Sequence, residues 1–172
     1  LYAGGGEANF RRFFDLAVRV LQGSSIPDTL LTAPENVPAT GFYHPLASEI
    51  FTTLDDYLAW QASRLADRTG HVAYLIHSGV VRDMLTRDID ELIERTEAAG
   101  MLPMVFWFDA TAEAGLPAVF GNSQVDVLVN LTHIQNGSAR SEDFLALDIP
   151  VIQTLRFRDG EASDWPGATS GI

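Results

Sequence analysis

The chain has 172 residues, a mass of 18.8 kDa and a formal charge of −12, which arises from 11 arginines and no lysine against 14 aspartates and 9 glutamates. That length suits one domain, or one and a fraction, and 47% hydrophobic with 20% charged residues describes a folded core, not a disordered tail. The acidic balance excludes nucleic acid and an anionic membrane surface as default partners; the missing lysine closes the Walker, Schiff-base and kinase-type chemistries, and the missing cysteine closes disulfide, thiolate, iron–sulfur and cysteine-zinc chemistry.

No apolar stretch approaches the roughly 20 residues that span a bilayer. No signal peptide opens the chain, and the lack of cysteine fits a reducing compartment, so a cytoplasmic location is expected. A start at Leu1 running straight into glycines suggests a piece of a longer protein.

After the entry at Gly4, Gly5 and Gly6, the spacing of Phe10, Phe13, Phe14, Ala17, Val18 and Leu21 predicts a helix over 7–21 with one buried apolar face, ended by Gly23. The stretch 24–48 holds four of the eight prolines and reads as an ordered connector, neither strand nor helix. Thr53 followed by Asp56 resembles a capping box and predicts a helix running to about Asp67. Beyond Gly70, apolar runs of strand length alternate with helical stretches, the pattern of βαβ units. Strands are expected at 72–76, 104–108, 125–131 and 151–155. Helices are expected at 87–99, ended by Gly100, and at 111–120, while 132–143 reads as a long polar loop. None of the strands alternates strictly, as befits burial on both faces. The fold expected is three-layer α/β/α with a mostly parallel, flavodoxin-like sheet of order 2-1-3-4 over residues 70–172, preceded by helices and a Pro-rich connector over 1–69.

In such a sheet, ligands bind beyond the carboxyl ends of the strands at the topological switch point. Those ends carry His77 and Ser78 after the first strand, and Asn130, Thr132 and His133 after the third. Two imidazoles on neighbouring loops can act as base, hydrogen-bond donor or metal ligand. No HxH, HExxH or histidine–carboxylate cluster supports a defined metal site, so the metal ligands stay open. His44, in Gly41-Phe42-Tyr43-His44-Pro45, is held extended by the following proline. It is read either as a presented imidazole or as part of an aromatic plug that pins the connector to the sheet. Glu7 with Asn9 reads as a polar site or as a helix-start carboxylate. Other doubly wound functions fail on their own terms. The first strand ends in His77 and not in an acidic residue, its turn offers Ser78 as one hydroxyl, and no dinucleotide glycine motif follows it.

Several stretches together resemble the large subunit of cobaltochelatase (CobN) and the H subunit of magnesium chelatase. These are LYAGGGEANFRRFF; GFYHP; DDYLAW; the long run HVAYLIHSGVVRDMLTRDIDELIERTEAAGMLPMVFWF; VDVLVNLTHIQ; and LDIPVIQTLRF. The resemblance runs in order over nearly the whole chain and makes the expected sheet flavodoxin- or chelatase-like. It implies ATP-dependent insertion of cobalt into a corrinoid or of magnesium into a porphyrin. The large subunit would hold the tetrapyrrole and separate AAA+ subunits would hydrolyse ATP, so this chain carries no cofactor of its own and the divalent metal is a substrate. Such subunits are several times longer, which makes this an early segment, inactive alone. Metallation needs a base for two pyrrole protons and a donor that strips water from the incoming ion; neutral imidazole can do either, and His77, His133 and His44 are the candidates. Tyr43 and Trp107 are candidates for stacking on the macrocycle, with Ser78, Asn130 and Thr132 lining the site. The alternative is a non-catalytic α/β interaction domain that docks neighbouring domains or subunits.

Overall fold

The computed structural model describes residues 1–64, 69–109, 115–121, 125–132, 137–154, 160–161 and 163–167, without the side chains of 137–140. Five strands form one sheet: β1 (Gly41–Tyr43), β2 (His71–Leu75), β3 (Leu102–Trp107), β4 (Val127–Asn130) and β5 (Val151–Gln153), in spatial order β1-β3-β2-β4-β5. β2 to β5 pair in parallel, and β1 adds antiparallel to the outer side of β3. The fold is therefore mixed α/β with a mostly parallel sheet, as expected.

Both sheet faces are covered, which explains the unbroken apolar strands. On β2, Ala73 and Leu75 point to one core with Phe42, Met104, Phe106, Leu116, Phe120 and Leu128. Val72 and Tyr74 point to the other, with Val105, Trp107, Ile89 and Ile93. α2 (Leu54–Ala62) and α5 (Pro117–Phe120) cover the first face, and α3 (Ser78–Arg82) and α4 (Arg87–Ala98) the second. α6 (Gly137–Leu145) lies on the first side, where Phe144 packs against the core.

Local chemistry sets the ends of the helices. Thr53 Oγ1 accepts the Asp56 amide at 3.2 Å and starts α2. α4 stops where Gly100 takes φ 81°, a left-handed conformation that disfavours a side chain. The sequence places α1 (Glu7–Leu21) correctly but not its inner face. Phe14, Val18 and Leu21 are exposed, and Asn9 is the residue that α1 buries.

Three further readings are corrected, and a fourth is tested only in part. The connector contains β1 and a 3-10 turn at Asp28–Leu30. The sheet thus begins before residue 70, and β1 ties the N-terminal part to β3. Gly41 lies opposite Trp107, and a Cβ there would come within 2.9 Å of the indole and of Ile50. The turn after β2 is helical, as α3. The helix expected at 111–120 is described as α5 alone, since 110–114 lie outside the described residues. Much of the polar stretch expected to be a loop forms α6.

Candidate functional site

Among the described residues, the carboxyl edge of the sheet carries one exposed imidazole beside a locked polar cluster. His77 follows β2 at the N-cap position of α3; its carbonyl accepts the Val80 amide at 2.9 Å, while its exposed ring makes no capping bond. Ser78, half-buried, opens α3. On the adjacent strand Asn130 is fully buried. Its Nδ2 donates to Gln153 Oε1 at 2.7 Å, and its Oδ1 accepts from the Thr132 amide at 3.1 Å and the Thr132 hydroxyl at 2.8 Å. The Gln153 amide in turn donates to the carbonyls of Thr132 and Thr154. Asn130 and Thr132 thus shape the exit of β4, and their polar atoms are engaged with one another. His133 lies outside the described residues, so its distance from His77 is not defined. Thr40 joins this edge, where its hydroxyl accepts the Asp109 amide at 3.2 Å.

The other candidates sit elsewhere. Trp107 is 2% exposed and donates its indole N–H to the Pro38 carbonyl at 2.8 Å, so its ring belongs to the core and offers no face to a macrocycle. Tyr43, half-buried, donates to Asp90 Oδ1 at 2.8 Å. Burial first, with the Asp90 carboxylate adding, pushes its hydroxyl up to about 12.

His44 is buried, and of the two readings of it the plug is the one the structure favours. Its Nδ1 accepts the Leu46 amide at 3.1 Å, which places the proton of the neutral ring on Nε2, 3.1 Å from Glu97 Oε1. Arg64 Nη1 stands 3.2 Å from the same Nε2 and donates to Gln61 Oε1 at 3.1 Å, with its guanidinium 4.6 Å over the Trp60 ring. Trp60 meets the His44 ring edge-on at 4.9 Å. The network continues from Gln61 to the Tyr57 hydroxyl, which donates to the Pro103 carbonyl at 2.6 Å in β3. Burial holds His44 below the ordinary histidine value; Arg64 adds to that, and the hydrogen bond to Glu97 opposes it. Glu97, Arg64, Asp90 and Gln61 were not singled out in the sequence.

The entry glycines are structural too. Asn9 Nδ2 donates to the Gly5 and Glu35 carbonyls, each at 2.7 Å, and its Oδ1 accepts the Glu35 amide at 3.0 Å, so this side chain clasps the connector. Exposed Glu7 pairs with Arg11 on the same helix. Among the described residues no group of three or more histidines and carboxylates could hold a metal ion. No described helix is long and apolar enough to cross a membrane.

The sequence matches the family model of CobN/Magnesium Chelatase over residues 1–172. The chain belongs to that family. Among solved structures it is similar to the catalytic subunit of cobaltochelatase from Mycobacterium tuberculosis, with a TM-score of 0.63 and 19% identity. The match covers 99% of this chain but 14% of that one, and at this identity it speaks for the fold alone. No curated protein matches. In this CobN/Magnesium Chelatase segment, the glycine–Asn9 and Tyr43-His44-Pro45 elements that carried the resemblance are joints of the scaffold. The exposed imidazole of His77 lies at the carboxyl edge of the sheet.

The neutral state of His44 has a consequence for stability. The unfolded histidine, with its ordinary value of 6.5, binds a proton that the folded one resists. Stability is therefore full above that value and falls as pH drops through it. Urea midpoints measured downward from neutrality are expected to decline in the native chain more than in His44→Asn; parallel declines would refute this assignment.

Proposed function

We propose that this chain is part of the large, tetrapyrrole-handling subunit of an ATP-dependent metal chelatase, inserting cobalt into a corrinoid or magnesium into a porphyrin. The observation that carries this reading is the family match over the full length of the chain. The fold shared with a structure described as a cobaltochelatase catalytic subunit is consistent with this reading. In this reading AAA+ partner subunits hydrolyse the ATP, and the segment is inactive alone. In this reading His77, exposed at the sheet's carboxyl edge, takes a pyrrole proton, with Ser78 beside it and Asn130 and Thr132 shaping the exit of β4; His133 is a second candidate base.

The test is a titration of the chain with a metal-free porphyrin and a metal-free corrinoid, followed by tryptophan emission and ligand absorbance. Saturable quenching weakened by His77→Ala is expected, with no metal insertion when cobalt or magnesium is added to the chain alone. Spectra unchanged at saturating ligand would overturn the tetrapyrrole assignment. That outcome favours a second reading, a non-catalytic interaction domain. The observation behind it is the apolar face of α1, where Leu21 is 87% and Phe14 60% exposed.

A further inference from the structure

His44 to Ala47 form a tight turn closed by two bonds. The Ala47 amide donates to the His44 carbonyl at 3.1 Å, and the Leu46 amide to His44 Nδ1, also at 3.1 Å. Pro45 has no amide to add. This turn is a wall shared by two clefts. One, of about 730 Å³, runs along α4 past Asp90, Glu94 and Glu97. The other, of about 510 Å³, lies between the start of α1, Glu35 and Met84. His44 and Pro45 line both.

We propose that the His44–Ala47 turn is a proton-operated latch between the two clefts, shut by the neutral imidazole and released when solvent protonates Nδ1. The chemistry follows from the tautomer. Nδ1 holds the turn because its lone pair accepts the Leu46 amide. A proton bound there turns the acceptor into a donor, and two N–H groups then face each other where a hydrogen bond had been. Nε2 keeps its bond to Glu97, so the ring stays anchored on α4 while the Pro45–Ala47 backbone is the part set free.

Among the described residues, three charged groups act on the ring. From α4, Glu97 and Asp90 favour the imidazolium; from the end of α2, Arg64 opposes it. Tyr43 spends its hydroxyl on Asp90. Burial is the largest influence and keeps the latch shut at neutrality, so release belongs below the ordinary value of 6.5. The inference concerns the scaffold and stands whether or not tetrapyrroles bind.

The experiment is amide exchange of Leu46 and Ala47 by NMR, corrected for intrinsic rates, alongside the ¹⁵N imidazole signals of His44, from about pH 8 to about pH 5. Protection of both amides is expected to fall about tenfold in step with the His44 titration. Glu97→Gln should move that midpoint down and Arg64→Met should move it up. His44→Asn, whose amide oxygen can accept the Leu46 N–H and cannot titrate, should give a flat profile. Constant protection in the native chain, a fall that persists in His44→Asn, or both charge variants shifting the midpoint the same way would each overturn the latch. If circular dichroism shows His44→Asn unfolded, the opposed shifts of the other two decide.

Discussion

Phe106→Ala is expected to cost about 3–5 kcal/mol, enough to leave much of the chain unfolded under mild denaturant. Phe106 is 0% exposed on β3, next to β2 and opposite Phe42 of β1. Its ring stacks on Phe42 with centroids 6.0 Å apart and meets Phe120 edge-on at 5.0 Å. Truncation therefore opens a void where a parallel strand, the antiparallel edge strand and α5 converge, and rigid aromatic neighbours collapse poorly into such a space. Phe106→Leu keeps most of the volume and should cost about 1 kcal/mol. Urea unfolding by circular dichroism distinguishes them. A loss below about 1 kcal/mol for the alanine variant would mean that this junction is not the packed centre of the fold.

The same junction shows what the sequence discloses and what it hides. Strands buried on both faces read as plain apolar runs, so β2 and β3 could be located from composition along the chain, and the glycine after α4 fixed a helix end. β1 was hidden because three residues in a proline-rich stretch carry no period; what makes Gly41–Tyr43 a strand is the waiting edge of β3, a tertiary cause. α6 was hidden for a related reason. Its first half is polar, and its clearest apolar contact, Phe144, lies just beyond the polar stretch 132–143. α1 erred in the other direction: its periodicity was plain, yet the elements beside it within these residues do not cover that face.

The candidate site divides along similar lines. Strand ends and topology marked His77 and Asn130, because the location of a ligand edge follows from the fold class. They did not reveal that Asn130 is internally satisfied or that His44 is enclosed, since the partners Gln153, Glu97 and Arg64 lie 23, 53 and 20 residues away. One signal for Glu97 did exist. It stands four residues after buried Ile93 and seven after Asp90, so a carboxylate occurs on the flank of the inner face of α4 and calls for a buried polar partner.

Asn130→Ala should be the most damaging polar change, at about 2–3 kcal/mol, because it strands several groups at once. The Thr132 amide and hydroxyl lose their acceptor and Gln153 Oε1 loses its donor, around a side chain that is itself fully buried. Thr132→Val is the control. It removes one hydroxyl, leaves Asn130 Oδ1 the Thr132 amide to accept, and should cost under about 1 kcal/mol. Equal costs in the two variants would show that the hydroxyl, not the amide side chain, organises this edge. Ligand binding gives the cluster a second readout. If Asn130 acts by fixing the exit of β4 at Thr132, then Asn130→Ala, measured where it is still folded, weakens tetrapyrrole quenching as His77→Ala does, although Asn130 itself is fully buried and bonded to Gln153 and Thr132. Unaltered quenching in the folded variant would separate the loop's shape from recognition and leave His77 as the contact that matters.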